Sequence, residues 1–274
     1  MQRVSGHINF QVARLRLCSQ FPALYPIGMT VTTNGRQGKP MRRLPACFRD
    51  TSTVAKDDGQ PSSSYTRIIS DEARQRQLLF KATIEKLPVI DHRPSHKLYC
   101  SKSPSETNFL IKRMIKEGNV FGLDLEWRPT FVKGSKENKT ALIQLCNAES
   151  VLIIQISRMH VFPKELKSML QDRNIIKTGV SIRGDALKLY RDFRILTNGL
   201  VDLGALARST KAKELEDHAG LSLRLLCGIY LGKSLPKGAV RLSRWDAPFL
   251  SSKQKQYAAD DAYVSILAFY VVCE

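Results

Sequence analysis

From about residue 96 onward, hydrophobic and polar positions fall into short runs with clear punctuation. "HKLYC" reads as a strand, and "SPSETNFLIKRMIKEGN" as a helix whose Ser103, Pro104 and Glu106 make a capping box with proline at the first helical position. Three apolar runs follow, "NVFGLDLEW", "ALIQLC" and "VLIIQI". After them come a helix ("PKELKSMLQ"), a short strand ("IIKTGV"), a helix ("IRGDALKLYRDF"), a short strand ("GLVDL") and further helices to the C-terminus. Only "NAES" separates the second and third apolar runs, so these two predict an antiparallel hairpin. The later strands alternate with helices and should be parallel, which gives a mixed sheet with helices on both faces. Upstream, "SDEARQRQLLFKATIEKL" predicts a lead-in helix entered through Ser70, preceded by the linker-like "GQPSSSYT". "GIYLGKS" is superficially like a phosphate loop. Cys227 holds the required first glycine position, however, so the stretch is a helix C-terminus ended by Gly232.

Composition adds a partner to this α/β outline. The 274 residues carry 43 Lys+Arg against 25 Asp+Glu, a formal charge of +18, which favours a polyanion: nucleic acid first, a membrane surface second. Up to residue 110 there are 17 basic and 8 acidic residues, and after it 26 and 17, so both parts carry +9 and the folded part is itself basic. No apolar run is long enough for an ordinary transmembrane helix, and the membrane is not expected as a partner. Residues 1 to 49 hold eight Arg and Lys and no acid, a composition that ranks an organellar transit segment just ahead of a disordered basic arm. The expected organisation is therefore a basic segment with linker over 1–69, a helical lead-in over 70–95 and a catalytic domain over 96–274. Location is expected in the mitochondrion, with the nucleus as the alternative. The six cysteines show no Cys-x-x-Cys pair and no His at metal spacing, and read as reduced thiols.

The candidate chemistry lies in "VFGLDLEW". Alternation puts Val120, Gly122, Asp124 and Glu126 on one face and Phe121, Leu123, Leu125 and Trp127 on the other. The second face is a packing face. On the first, two acids lie beside a missing side chain, an arrangement that suggests room for something small and positive. At roughly 6 to 7 Å separation along the strand and an effective dielectric near 20, their repulsion costs about 2.5 kcal/mol. Burial adds several kcal/mol of desolvation per ion. A buried salt bridge or an exposed edge strand is the ordinary explanation, yet no basic residue shares that face of the strand.

Further acids recur where core is expected. Asp185 interrupts the stripe Ile182, Ala186, Leu189, Tyr190 and Phe193. In "SSKQKQYAADDAYVSILAFYVV", capped by Ser251 and Gln254, Tyr257 is one turn from Asp261 and within a turn of Asp260; spacing does not choose between these acids. Taken singly, Asp185 is a helix-start acid facing water and Tyr257 a core residue. Together, acids on a central strand, a helix start and the final helix can converge only at one end of the sheet. Carboxylates without His or Cys company suit two hard cations, Mg²⁺ or Mn²⁺, able to clamp the attacking and leaving oxygens of a phosphodiester.

"GLDLEW", "TALIQLCNAES", "KTGVSIRGDALKLYRDF", "LSLRLLCGIYLGK" and "YAADDAY" strongly resemble, in order over about residues 96 to 274, the Werner syndrome-type 3′-5′ exonuclease domains of the DnaQ-like (DEDD) superfamily. The resemblance implies an α/β ribonuclease-H-like fold, a mixed five-stranded sheet flanked by helices, that releases nucleoside 5′-monophosphates from a 3′ end. It assigns catalytic roles to Asp124, Glu126, Asp185, Tyr257 and Asp261, selecting Asp261 over Asp260. The four acids among them would be the ligands of two ions. Asp124, Glu126 and Asp261 would serve the metal beside the attacking water. Asp124, with Asp185 mostly through water, would serve the one beside the leaving oxygen, while Tyr257 and Glu126 orient the nucleophile. The sister subclass carries His where Gln256 stands, so the chain resembles the tyrosine subclass. Asp260 replaces the small polar residue that relatives often carry and is expected to alter metal affinity slightly.

Asp202 is expected as a helix N-cap, and the five histidines as structural. Of the basic loops 130–140 and 235–245, Lys237, Arg241 and Arg244 are expected to contact phosphates. The resulting expectation is a metal-dependent 3′→5′ exonuclease acting on DNA 3′ ends. An exoribonuclease is the nearest alternative and a non-catalytic nucleic-acid-binding module the next. Because no helicase follows in the chain, a helicase partner would act in trans. The sequence leaves the oligomeric state open.

Overall fold

The computed structural model describes residues 71–274, apart from residues 94, 211–214, 216, 217 and 219. The basic segment, its linker and the Ser70 cap fall outside the described residues.

A six-stranded sheet forms the centre, in the order β1-β4-β3-β2-β5-β6. Its strands are β1 (Lys97–Ser101), β2 (Val120–Glu126), β3 (Leu142–Cys146), β4 (Ser150–Ile154), β5 (Ile176–Gly179) and β6 (Leu200–Asp202). The expected "NAES" hairpin is present: β3 and β4 are antiparallel, and Asn147 Oδ1 accepts from the Glu149 and Ser150 amides at 3.0 and 2.9 Å. β5 is parallel to β2, and β6 to β5. The mixed, helix-flanked sheet therefore stands, with six strands where the resemblance implied five; "HKLYC", read as a strand, is the edge strand β1, parallel to β4. All strands but β3 thus end at one rim, which places the residues following β1, β2, β4, β5 and β6 on a common edge.

The helices are α1 (Asp71–Glu85), α2 (Pro104–Glu117), α3 (Lys164–Gln171), α4 (Ile182–Phe193), α5 (Leu203–Ser209), α6 (Leu223–Leu231) and α7 (Ser252–Cys273). They sandwich the sheet. Phe121, Leu123 and Leu125 pack with α2, α3 and α4 in one buried cluster, while Val120 packs with α5, α6 and α7 in the other. The two faces of β2 thus follow the alternation read from its sequence. No described helix is long and apolar enough to cross a membrane.

Two details differ from expectation. Ser103 does cap α2, accepting from the Glu106 amide at 3.4 Å, but the Glu106 carboxylate takes the Ser101 hydroxyl at 2.7 Å, so the box is only half closed. Gly122 does not leave room for a cation: a Cβ there would lie 2.1 Å from the Ala262 carbonyl oxygen and 3.0 Å from the Ile266 nitrogen. The missing side chain admits the backbone of α7 against β2, and that close approach brings the last helix to the acidic strand.

The lead-in packs onto this body. Ile84 of α1 lies against Gly228 of α6. Val89 bridges Ser234, and the Ile90 amide donates to the Ser234 carbonyl at 2.9 Å. Buried Lys177 at the start of β5 donates to the carbonyls of Met169, Asp172 and Ile175 at 3.1, 2.8 and 2.6 Å, closing the turn between α3 and β5.

Candidate active site

β2 outruns β5: the two pair only from Val120 to Gly122, and Asp124 and Glu126 extend beyond, facing the gap where the chain turns from β5 into α4. That turn is tight, with Ser181 at φ 57 and Gly179 so close that a Cβ would lie 2.8 Å from the Leu123 oxygen. The turn sets the first residues of α4, and Asp185 with them, against the acidic strand. From the other face, the Ser251–Gln254 capping box starts α7, and the helix carries Tyr257 and Asp261 to the same rim.

Carboxylate oxygens of Asp124, Glu126 and Asp261 lie within 4.8 Å of one another. Asp185 joins them electrostatically, as the charge that acts most strongly on Asp124. Burial, more than any neighbour, pushes the proton affinities of these acids up. Asp124 and Asp261 rise well above the usual carboxylate range, Asp124 through burial and then the charge of Asp185, Asp261 through burial and then the charge of Asp124. Glu126 is raised to about 10 by burial and then by Asp124 and Asp261, and Asp185 to about 7 by burial and then by Asp202. Tyr257 is pushed up by burial and by the acids around it; its hydroxyl rests against Asp261. Among the described residues, no ion pair reaches any of the four acids.

The residues fit a divalent cation. Three carboxylates from two elements, with a fourth from the head of a helix, converge in a largely buried space, and among the described residues no side-chain cation is paired to them. That donor set belongs to hard, oxygen-preferring ions.

The remaining candidates divide. Arg241 and Lys237 belong to the site's field: Arg241 eases the charge on Glu126 and Lys237 that on Asp261. Arg241 is placed by the buried Trp245, whose Nε1 donates to the Arg241 carbonyl at 3.1 Å and whose ring lies 5.9 Å from that of Tyr257. Arg244 instead approaches Asp246 at 3.6 Å. Asp202 caps α5, accepting from the Ala205 amide at 3.0 Å. Asp260 turns away from the site to partners in the lead-in and on its own helix, while its charge still raises the proton affinity of Asp261. One of its oxygens accepts from His92 Nδ1 at 2.7 Å and from the His92 amide at 3.2 Å, the other from Gln256 Nε2 at 2.6 Å. Gln256 therefore faces the lead-in, and Tyr257 alone faces the acids.

Sequence reasoning missed what holds the loop after β2. Buried Lys188 on α4 donates to the Asn138 carbonyl at 2.6 Å and to Asp192 at 2.7 Å, and lies 4.9 Å from the centroid of the Trp127 ring. Asp192 also accepts from the Thr140 amide at 2.7 Å. The i,i+4 spacing of Lys188 and Asp192 was the available signal, but their loop partners lie some fifty residues away.

A family model described as 3′-5′ exonuclease matches residues 102–269. The chain is 36% identical over 198 residues to the mouse bifunctional 3′-5′ exonuclease/ATP-dependent helicase WRN, an alignment covering 69% of this chain and 14% of that protein. It is 32% identical over 179 residues to a 3′-5′ exonuclease of Arabidopsis thaliana, covering 60% of this chain and 59% of that one. The chain thus spans only part of either relative. Among solved structures, the Nibbler EXO domain of Aedes aegypti superposes with a TM-score of 0.56 at 21% identity, over 64% of this chain and 86% of that chain. RNase D of Trypanosoma brucei in complex with RNA U12 also gives 0.56, at 20% identity, over 70% and 64% of the two chains. These two likenesses concern the fold.

Proposed function

Because the chain belongs to the 3′-5′ exonuclease family, we propose that residues 96–274, with the lead-in 70–95 packed against them, remove nucleotides from DNA 3′ ends with the help of Mg²⁺ or Mn²⁺. The observation that carries this reading is the convergence of Asp124, Glu126 and Asp261 within 4.8 Å, with Asp185 beside them and no paired side-chain cation. Asp124, Glu126, Asp185 and Asp261 would hold two ions. Bound there, the ions would supply positive charge to the reacting phosphodiester and lower the pKa of water.

The chain's own residues do the rest. Tyr257 keeps its proton, because burial and the neighbouring acids oppose ionisation, so its hydroxyl is a donor fixed by Asp261 and able to orient the attacking water or the phosphate. Glu126 would orient the nucleophile together with Tyr257. Lys237 and Arg241 place positive charge at the rim, where the anionic strand arrives. Trp127 and the loop behind it are kept in place by Lys188 and Asp192.

DNA is favoured by likeness to a domain that, in the mouse protein, shares its chain with a helicase. A helicase would be the corresponding partner here. RNase D, solved with RNA, has the same fold, so an exoribonuclease is the alternative. Incubation with 5′-labelled DNA, RNA and recessed duplex in Mg²⁺ or Mn²⁺ tests the reading. It requires a ladder shortening from the 3′ end on DNA, absent in EDTA and absent for Asp124→Ala. Shortening of RNA alone would favour the alternative. An identical background for Asp124→Ala and the unsubstituted chain would leave only a binding module. The acid-free residues 1–49 would send the chain to mitochondria, which fusion of residues 1–50 to a fluorescent reporter tests; nuclear fluorescence would contradict it.

A further inference from the structure

The rim that carries the acids also carries a row of cations. Lys102 follows β1, Arg128 follows β2 by two residues, and Arg158 lies in the single turn after β4. These three strands run parallel and end at the same edge. The segment before α7 lies along this row and is tied to it: Lys102 Nζ donates to the Pro248 carbonyl at 2.5 Å, Gln155 Nε2 to the Ala247 carbonyl at 3.2 Å, and Arg158 Nη2 to the Asp246 carbonyl. The segment adds Arg244 and Phe249.

We propose that Arg128, Arg158, Arg244 and Phe249, backed by Lys102, form a track for the substrate strand upstream of the scissile bond, leading from β2 across to β1. This rests on the nuclease reading and extends it by assigning the strand a direction. The row passes over three strand spacings, about 14 Å. Two of these cations, Arg128 and Arg244, face the acid Asp246, whose grip on them is loose. Arg128 and Arg244 stand 3.9 and 3.6 Å from its carboxylate, beyond hydrogen-bonding distance, with 54% and 68% of their side chains exposed. Asp246 therefore draws both guanidinium groups to one place without occupying their donors. A buried oxygen of that carboxylate is itself without a hydrogen-bond partner. Planar forks gathered at one place with unspent donors suit phosphate oxygens.

Phe249 supplies the other half of a single-strand site. Its ring is 82% exposed, unusual for a phenylalanine, and the Lys102 ammonium stands 4.2 Å from its centroid. One face is thus covered by a cation and the other is open to solvent, ready for a base to stack. Cations following the backbone with an aromatic platform between them are the means by which proteins hold single strands without reading sequence.

The test uses the full chain carrying Asp124→Asn, which prevents digestion, and a fluorescent single-stranded oligonucleotide with a free 3′ hydroxyl. Affinity is read by anisotropy over a range of salt concentrations. Adding Arg128→Gln and Arg244→Gln should weaken binding about tenfold or more and flatten the log–log salt slope by about 1.4, two phosphate contacts on a single strand. Adding Phe249→Ala should weaken binding about tenfold and leave the slope unchanged, since stacking releases no counterions. Lys116→Gln with Arg173→Gln, exposed positions near the opposite rim, removes the same charge and should change little. An unaltered slope in the arginine pair, or an equal loss in the control pair, overturns the track while leaving the nuclease reading standing. A chain that neither binds nor digests nucleic acid overturns both.

Discussion

Replacing Asp124 by Asn should abolish exonuclease activity and at the same time stabilise the metal-free protein. Two ionised carboxylates 4.8 Å apart repel by about 3.5 kcal/mol at an effective dielectric of 20, and the three acids that share this space make three such pairs, about 10 kcal/mol together. That is comparable to the whole stability of a domain, about 5–15 kcal/mol. Without a cation the acids must hold protons at neutral pH, in line with Glu126 raised to about 10 and Asp185 to about 7. A carboxyl group whose folded pKa is raised stabilises the fold fully below its unfolded value near 4, and that contribution is lost as pH rises through the folded value. The penalty should therefore grow from about pH 5 to 9. Since protonation already relieves part of it, removing the central acid should gain about 2 kcal/mol at pH 8, or about 4–8 °C in Tm for a chain of this size. Thermal unfolding in EDTA, scanned from pH 5 to 9, measures this. Asp124→Asn should melt higher than the unsubstituted chain at pH 8 and together with it at pH 5, and added Mn²⁺ should raise only the unsubstituted chain. A Tm lowered by the substitution across that range, or an equal response to Mn²⁺, would refute the reasoning.

Two further substitutions probe the frame that delivers the acids. Gly122→Ala places a methyl group 2.1 Å from the Ala262 oxygen, so α7 must retreat from β2 and carry Asp261 with it; activity should fall at least a hundredfold, with a lower urea midpoint, and near-normal turnover would show that the contact does not set the site. Lys177→Met leaves three buried carbonyls without their donor and should cost about 3 kcal/mol in urea unfolding, with metal-dependent turnover retained below the transition; an unchanged midpoint would show that water replaces the ammonium at no cost.

The strands, the hairpin of β3 and β4 and the acids of β2 were legible because each depends on local pattern: a four-residue link makes the hairpin, a period of two exposes Asp124 and Glu126, and a helical stripe exposes Asp185. Spacing alone could not separate Asp260 from Asp261, since both are within a turn of Tyr257. What separates them is position around α7: Asp261 faces β2, while Asp260 meets His92 in the lead-in, 168 residues earlier. Gly122 was misjudged for a related reason: a missing side chain reads as space, and only the packed helix shows that the space is filled by backbone. The strand β1 was legible in "HKLYC", but its place at the edge of the sheet depends on a partner about fifty residues away. The row Arg128, Arg158, Arg244 and Phe249 draws on three separate stretches of chain, of which only the basic loop holding Arg244 stood out in the sequence.

The central claim is that the acids of β2, α4 and α7 form a cradle for two divalent ions. Crystals of the chain grown with Mn²⁺ and measured at a wavelength where manganese scatters anomalously test it most directly. The account predicts two anomalous peaks sharing Asp124, one also bounded by Glu126 and Asp261 and the other facing Asp185. A map with no peak at these residues, or with manganese only at the neighbouring Asp91, His92 and Asp260 cluster, would contradict it.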